Sequence, residues 1–221
     1  MASVTPWGPA SMPLTADIVC LWWADLDHPP VPFEVLAGTL AADENARAAR
    51  LRRPLDRSRF VAARGLLRLL LGQALDLTPH SLRFTYGPHG KPALAGNGPH
   101  FNLSHSDGQA LFAVSATREV GIDIERIRDD LPVTSLAARW LPPPAPAALA
   151  ALPPAERPAA FCHAWVRQEA SLKAYGSGLA VPALPGADPD LWAVLDLEVP
   201  QPYRAALAVE GSEVRVGWRD F

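Results

Sequence analysis

Two carboxylates separated by a single residue stand in the segment Gly121-Ile122-Asp123-Ile124-Glu125. Its β-branched apolar residues predict a strand, in which successive side chains point to opposite faces. Ile122 and Ile124 are then expected in a core, with Asp123 and Glu125 together on a face open to solvent. Two carboxylates this close repel one another unless a cation lies between them. The pair therefore suits Mg²⁺ bound beside substrate phosphates, although an ordinary strand with a solvated polar face explains it equally well.

A third carboxylate, Glu169, comes four residues before Lys173 in a segment that predicts a helix over 158–175. Residues four apart meet on one face of a helix. On this segment alone we favour a surface ion pair that adds about 0.3–0.5 kcal/mol. The alternative is a third metal ligand with Lys173 one turn away, where it would hold a phosphate oxygen. The helix is predicted to end at Gly176-Ser177-Gly178.

The segment Phe101–Ser106 contains an amide, hydroxyls and an imidazole within a few residues. Asn102, Ser104 and His105 could bind a phosphate group through hydrogen bonds, aided by a protonated histidine. The same residues could equally form a capped turn. No Gly-x-Ser-x-Gly segment surrounds Ser104, so a hydrolase triad is poorly supported.

Several basic residues could also meet an anion. Gly90-Lys91-Pro92 follows no Walker loop and lies in a predicted loop between strands. Arg47, Arg50 and Arg64 lie on helices predicted over 34–53 and 56–71. Taken singly, each is better explained as a solvated surface residue.

The composition narrows the possible classes. The 221 residues are 49% hydrophobic and 19% charged, with a formal charge of −3. This indicates a folded protein and excludes a generally basic nucleic-acid binder, while leaving room for a local basic site. No apolar run reaches the ~18–20 residues of a membrane helix. We expect no signal peptide, and Cys20 and Cys162 are too few for a disulfide framework, so a cytoplasmic protein is expected.

Strands and helices alternate irregularly, which predicts the α+β class. Besides the elements above, we predict strands over 18–23, 82–86 and 111–115. We also predict a closing antiparallel meander formed by 191–197, 203–209 and 214–218.

Five features follow one another in a specific order within residues 44–179, well over half of the chain. In this order they closely resemble the Sfp-type 4′-phosphopantetheinyl transferases. Members of this family move the phosphopantetheine arm of coenzyme A onto a serine of an acyl or peptidyl carrier protein. They require Mg²⁺ and release adenosine 3′,5′-bisphosphate. The features are Arg64, Gly90-Lys91-Pro92, Phe101–Ser106, Gly121–Glu125 and Trp165-x-x-x-Glu169-x-x-x-Lys173-x-x-Gly176.

The resemblance also implies a fold with two similar α+β halves related by a pseudo-twofold axis and an active site in the cleft between them. We expect residues 1–118 to form the half that contacts coenzyme A and residues 119–221 the half with the metal-binding carboxylates. A length of 221 residues fits the internally duplicated, monomeric type of enzyme.

Individual roles follow from the same resemblance. Asp123, Glu125 and Glu169 would hold Mg²⁺, and Lys173 would bind a pyrophosphate oxygen. Glu169 would be the base for the carrier serine, directly or through a metal-bound water. The metal and Lys173 would stabilise charge on the leaving bisphosphate. The residues expected to bind coenzyme A are Arg64, Gly90, Lys91, Pro92, Ser104, His105 and Lys173, together with Arg47 and Arg50, which match a basic pair more loosely.

Two positions depart from the family pattern. Gln168 stands where a lysine is common, and Ala145 stands near the place of a frequent glutamate. If the lysine and the glutamate assist the reaction in other family members, this chain is expected to have a lower rate or a shifted pH optimum. The departures are the only support for one alternative, a module that binds coenzyme A or a carrier protein without transfer. A second alternative is a Mg²⁺-dependent phosphohydrolase that uses the same carboxylates.

Overall fold

The computed structural model describes residues 14–177 and 191–221. The expectations about a signal peptide at residues 1–13 and about Gly178 lie outside these residues. The strands are β1 (Ile18–Asp25), β2 (Phe84–Tyr86), β3 (Pro92–Leu94), β4 (His100–Ser106), β5 (Gln109–Ser115), β6 (Val120–Arg126), β7 (Trp192–Leu197), β8 (Tyr203–Glu210) and β9 (Arg215–Arg219). The helices are α1 (Phe33–Thr39), α2 (Ala42–Arg50), α3 (Pro54–Leu75), α4 (Val133–Trp140), α5 (Ala145–Ala151) and α6 (Arg157–Tyr175).

The strands form two main sheets and a small hairpin. The first sheet has the order β4-β5-β1-β9, the second has the order β6-β8-β7, and β2 pairs only with β3. All pairs are antiparallel except β1–β9, which is parallel. The expected α+β class is confirmed, with one helix-covered region around each main sheet.

The two sheets pack against each other, and each is covered on its outer face by a long helix. Alternation along β1 sends Trp22 toward Leu66 of α3 and Leu21 toward the second sheet, where Ile122 is buried. On the far side of the second sheet, Ala170 of α6 packs on Ala206. The layers are therefore α3, first sheet, second sheet and α6.

A glycine lets β6 lie directly on α6. A Cβ atom at Gly121 would stand 2.1 Å from the carbonyl oxygen of Ala170 and 2.3 Å from the backbone nitrogen of Ala174. No side chain fits at such distances, so only glycine allows this approach. As a result, the face of β6 that carries Asp123 and Glu125 is held against the helix that carries Glu169.

The predicted helix over 34–53 was wrong in one respect, since the chain forms two helices with a break at Leu40–Ala41. The Glu44 carboxylate accepts a hydrogen bond from the backbone nitrogen of Ala41 at 2.9 Å, which starts α2 afresh. By contrast, the helix predicted over 158–175 is confirmed as α6. It ends at Gly176, which adopts a left-handed conformation with φ 69°.

Two further expectations about local structure are corrected. The segment Phe101–Ser106, for which a capped turn was one interpretation, belongs to the regular strand β4. The strand predicted over 214–218 forms as β9, but it pairs with β1 of the first sheet instead of closing a meander. Within the described ranges 14–177 and 191–221, no helix is both long enough and apolar enough to span a membrane.

Candidate active site

Strand β4 holds the acidic strand β6 through alternate polar side chains. Asn102 Oδ1 accepts a hydrogen bond from the backbone nitrogen of Ile122 at 2.9 Å. Two residues on, Ser104 Oγ donates to Asp123 Oδ1 at 2.7 Å. These side chains point to one side of β4 because residues two apart share a face. The polar segment singled out in the sequence thus orients the carboxylates of β6.

The next residue in this alternation, Ser106, holds the second acid of β6. Its hydroxyl donates to Glu125 Oε2 at 2.7 Å and accepts from the backbone nitrogen of Arg126 at 3.1 Å. Both acids of the β6 motif are therefore fixed from the first sheet.

Lys173 of α6 completes a small charged network. Its Nζ lies 2.5 Å from Asp123 Oδ1 and donates to Ser104 Oγ at 2.9 Å. Asp123 is only 2% exposed, so the expectation that it faces solvent was wrong: α6 covers that face of β6, and Gly121 lets the helix come close. The predicted surface pair of Glu169 with Lys173 was also wrong, since Lys173 pairs with Asp123.

The three acids that the sequence singled out influence one another. Burial, followed by the charges of Asp123 and Glu125, raises the pKa of Glu169 to about 7, although Lys173 acts in the opposite direction. Burial also raises the pKa of Glu125, with a contribution from Asp123. The carboxylates of β6 and α6 thus share one poorly solvated region and lack enough positive charge between them.

Unsatisfied oxygens mark where a cation would fit. Among the described residues, Asp123 Oδ2 and Glu169 Oε1 are buried without a hydrogen-bond partner. In the described part of the chain, no three acidic, histidine or cysteine side chains yet converge as a complete metal site, and Lys173 supplies the nearest positive charge. Hard carboxylate oxygens that lack a hydrogen-bond partner are the donors that Mg²⁺ takes, so these residues fit that ion.

A cavity of about 370 Å³ adjoins the network. The loop Gly90-Lys91-Pro92 borders it on one side, and Glu169, Lys173 and Gly176 of the α6 end border it on the other. The structure therefore brings together the loop lysine and the helix motif, which are far apart in the sequence. Lys91 Nζ itself donates to three protein oxygens.

A second, smaller cavity of about 200 Å³ is lined by Arg47, Arg64, Tyr86 and His105. Arg64 is buried, and the interpretation of it as a solvated helix residue was wrong. Its Nε is paired with Glu44, and its Nη2 donates to the hydroxyl of Tyr86 at 2.9 Å.

The same glutamate also binds Arg68 at 2.6 Å, so two guanidinium groups share one buried carboxylate. The residue that sequence reasoning missed here is Glu44. The sequence feature that points to a buried acidic partner is the placement of Arg64 and Arg68 one turn apart within the apolar stretch of α3.

Two residues expected to bind coenzyme A, His105 and Arg50, differ from the sequence-based expectation in charge or in position. Partial desolvation by the surrounding protein, followed by the charges of Lys173 and Arg59, lowers the pKa of His105, which disfavours the protonated form expected from the sequence. Arg50 is exposed on α2 and borders neither of these cavities. The two departures from the family pattern, Ala145 and Gln168, line one shallow cavity on another side of α6.

Comparisons with known proteins agree with the sequence motifs. Residues 119–216 match the sequence model of the 4′-phosphopantetheinyl transferase superfamily. The 4′-phosphopantetheinyl transferase HetI of Nostoc sp. (strain PCC 7120 / SAG 25.82 / UTEX 2576) is 39% identical over 226 residues, which cover 96% of this chain and 94% of the relative. A putative 4′-phosphopantetheinyl transferase of Synechocystis sp. is 36% identical over 164 residues, covering 72% of this chain and 65% of the relative.

A crystal structure of holo-[acyl-carrier-protein] synthase from Thermotoga maritima aligns with a TM-score of 0.33 and 21% identity. The alignment covers 48% of this chain and 68% of that one. Similarity this low adds nothing to the fold described above.

The chain belongs to the 4′-phosphopantetheinyl transferase superfamily. Its similarity to HetI along nearly the whole length of both chains makes it a 4′-phosphopantetheinyl transferase. The resemblance drawn from the sequence motifs is confirmed.

Proposed function

We propose that this transferase moves the phosphopantetheine arm of coenzyme A onto a serine hydroxyl of an apo acyl or peptidyl carrier protein, in a Mg²⁺-dependent reaction. Carriers of fatty-acid, polyketide and nonribosomal-peptide synthesis are the candidate acceptors. The observation that carries the proposal is the meeting of two buried, unpartnered carboxylate oxygens, on Asp123 and Glu169, with Lys173 at the wall of a cavity.

The residues that would hold the metal are Asp123, Glu125 and Glu169. When bound, Mg²⁺ would neutralise negative charge on the pyrophosphate of coenzyme A. The hydroxyls of Ser104 and Ser106 support this role, because each fixes one carboxylate of β6.

Transfer requires the serine oxygen to form a bond to the pantetheine-side phosphorus while the bond to the bridging oxygen breaks. Adenosine 3′,5′-bisphosphate leaves with the electron pair of that bond. Lys173 would donate a hydrogen bond to the oxygen where this charge develops. Its present partners, Asp123 and Ser104, hold the ammonium at the cavity wall.

Glu169 is the proposed base for the carrier serine. In the metal-free site, burial and the neighbouring acids raise the pKa of Glu169 to about 7, so its carboxylate is more basic than that of an ordinary glutamate.

The adenosine and 3′-phosphate end of coenzyme A is proposed to lie along the basic side of the site. Arg64 supports this, since Arg64 and Arg68 together carry one more charge than Glu44 neutralises. The residues assigned to this end are Arg47, Arg50, Arg64, Gly90, Lys91, Pro92, Ser104 and His105.

We further propose that residues 1–118 and 119–221 are similar halves related by a pseudo-twofold axis, acting as a monomer with the active site between them. The arrangement of α3 on the first sheet and α6 on the second supports this division. Strand β9 crosses from one proposed half to the other, because it belongs to residues 119–221 and pairs with β1 in the first sheet.

Intact-mass spectrometry of an apo carrier protein tests the function. After incubation with this enzyme, coenzyme A and Mg²⁺, the carrier should gain the mass of one phosphopantetheine, and added EDTA should prevent the gain. No gain with several folded apo carriers would overturn the transfer reaction. An undiminished gain in EDTA would overturn its metal dependence.

A further inference from the structure

Lys91, at the end of the turn between β2 and β3, donates hydrogen bonds to three oxygens that lie at the start of β6 and at the end of α6. Its Nζ donates to Glu119 Oε2 at 2.6 Å, to the carbonyl oxygen of Val120 at 3.2 Å and to that of Ala174 at 2.8 Å. A lysine ammonium has three N–H donors. All three are therefore engaged by protein oxygens.

The three acceptors lie at the ends of the two elements that carry the acids of the site. Ala174 lies in the last turn of α6, where carbonyl groups lack partners within the helix and a positive charge is favourable. Glu119 and Val120 stand at the start of β6, the strand that leads to Asp123. Lys91 thus ties the β2–β3 hairpin to both elements that carry the acids of the site.

Glu119 is the charged partner in this arrangement. While Oε2 accepts from Lys91, Oε1 lies 3.0 Å from Nδ1 of His100 at the start of β4. The carboxylate therefore links the hairpin lysine to β4 as well. Glu119 is 42% exposed, compared with 19% for Lys91, so it closes the cluster on the solvent side.

The pair also separates two cavities. Lys91 lines the cavity of about 370 Å³ that contains Glu169 and Lys173. It equally lines a neighbouring cavity of about 320 Å³, whose wall includes His100 and Glu119. A shift of the Lys91 side chain would merge or reshape both spaces.

We propose that Lys91 and Glu119 form a clamp that holds the β2–β3 hairpin against the end of α6 and thereby shapes the coenzyme A cavity. Lys91 is a positioning residue that acts through the hairpin, and Glu119 is the partner it requires. This inference rests on the proposed use of the cavity for coenzyme A. It replaces direct phosphate binding as the main contribution of Lys91.

Direct binding of the 3′-phosphate by Lys91 would predict a different effect of replacing Glu119. If Lys91 bound the 3′-phosphate directly, the Glu119 carboxylate would compete with that phosphate, and its removal would lower the KM for coenzyme A or leave it unchanged. In a clamp, loss of Glu119 loosens the hairpin and raises the KM. The sign of the effect of Glu119→Gln therefore separates the two roles.

The experiment compares Lys91→Met, Glu119→Gln and the double variant, with coenzyme A and 3′-dephospho-coenzyme A as substrates. We expect each single change to raise the KM for both substrates about tenfold, as for a lost charged hydrogen bond, with kcat within about threefold of the parent. The double variant should be little worse than either single one. The control is Glu213→Gln, an exposed glutamate, which should match the parent.

Hydrogen exchange on the substrate-free enzyme provides a readout that does not depend on transfer. Backbone amides of residues 84–94 should exchange faster in Lys91→Met and Glu119→Gln than in the parent and in Glu213→Gln. The clamp is overturned if exchange in this segment is unchanged. It is equally overturned if Lys91→Met impairs only the substrate with a 3′-phosphate while Glu119→Gln leaves the KM unchanged or lowers it.

Discussion

The Nζ of Lys173 lies 2.5 Å from Oδ1 of Asp123, and this contact joins the last turns of α6 to the middle of β6. The other oxygen of the same carboxylate, Oδ2, is buried and has no hydrogen-bond partner among the described residues. One half of Asp123 is thus satisfied by the protein, while the other half is left available for a cation. This division would allow a nearly fully buried acid to serve both the fold and the proposed metal site.

Replacement of Asp123 by asparagine should abolish most of the transfer activity. The change keeps the size of the side chain but removes the charge that Lys173 and the metal need, and we expect kcat/KM to fall at least about 100-fold. Carrier modification measured by intact mass gives the rate, and circular dichroism checks the fold. The control is Asp130→Asn, an exposed carboxylate that pairs with Arg128. Activity near that of the parent in Asp123→Asn would contradict the site.

Gly121→Ala should disrupt the contact between β6 and α6. The added Cβ would overlap the backbone of Ala170 and Ala174, so we expect a loss of about 3 kcal/mol in the free energy of unfolding together with reduced activity. Urea denaturation measures the first quantity. Gly38→Ala in α1 is the matched control, because a Cβ there meets nothing within 4 Å. Equal stability of the two variants would refute the close-approach argument.

Glu44→Gln should destabilise the first region of the fold. The change leaves the guanidinium groups of Arg64 and Arg68 buried without a countercharge, at a cost of about 3 kcal/mol or more. Chemical denaturation should show the loss, whereas Asp43→Asn, an exposed neighbour on α2, should change stability by less than about 0.5 kcal/mol. A Glu44→Gln protein as stable as the parent would mean that the cluster is not needed for stability.

The metal-free enzyme should lose stability as the pH rises from about 5 to 8. Glu169 has a pKa of about 7 in the folded protein, above the ordinary 4.5, so the folded state binds more protons in this interval than the unfolded state does. Rising pH then favours unfolding. Thermal unfolding in EDTA should show a falling Tm for the parent and a flatter profile for Glu169→Gln. Parallel profiles for the two proteins would contradict the raised pKa.

The sequence predicted the local features of the site well. The strand around Asp123 and the helix around Glu169 follow from alternation and helical spacing, and Gly176 marks the helix end because it can adopt positive φ. These features depend on neighbouring residues, so the pattern is sufficient to find them.

The partners across the fold could not be predicted in the same way. Lys91 bonds to residues 28 and 83 positions away in the chain, and β9 pairs with β1 at the opposite end. Such contacts depend on how the sheets and helices pack. For the same reason, the helical pattern over 34–53 gave no sign that Glu44 pairs with two arginines of another helix. Likewise, the segment Phe101–Ser106 gave no sign that Ser104 holds Asp123.

The proposed transfer reaction depends most directly on a divalent cation held by three carboxylates beside coenzyme A. Electron paramagnetic resonance of Mn²⁺, titrated with enzyme and coenzyme A, measures that binding without any transfer step. The signal of free Mn²⁺ should fall when parent enzyme is added, and it should fall far less with Asp123→Asn or Glu169→Gln, while Asp130→Asn behaves as the parent. Equally tight Mn²⁺ binding by all four proteins would contradict the assignment of the site.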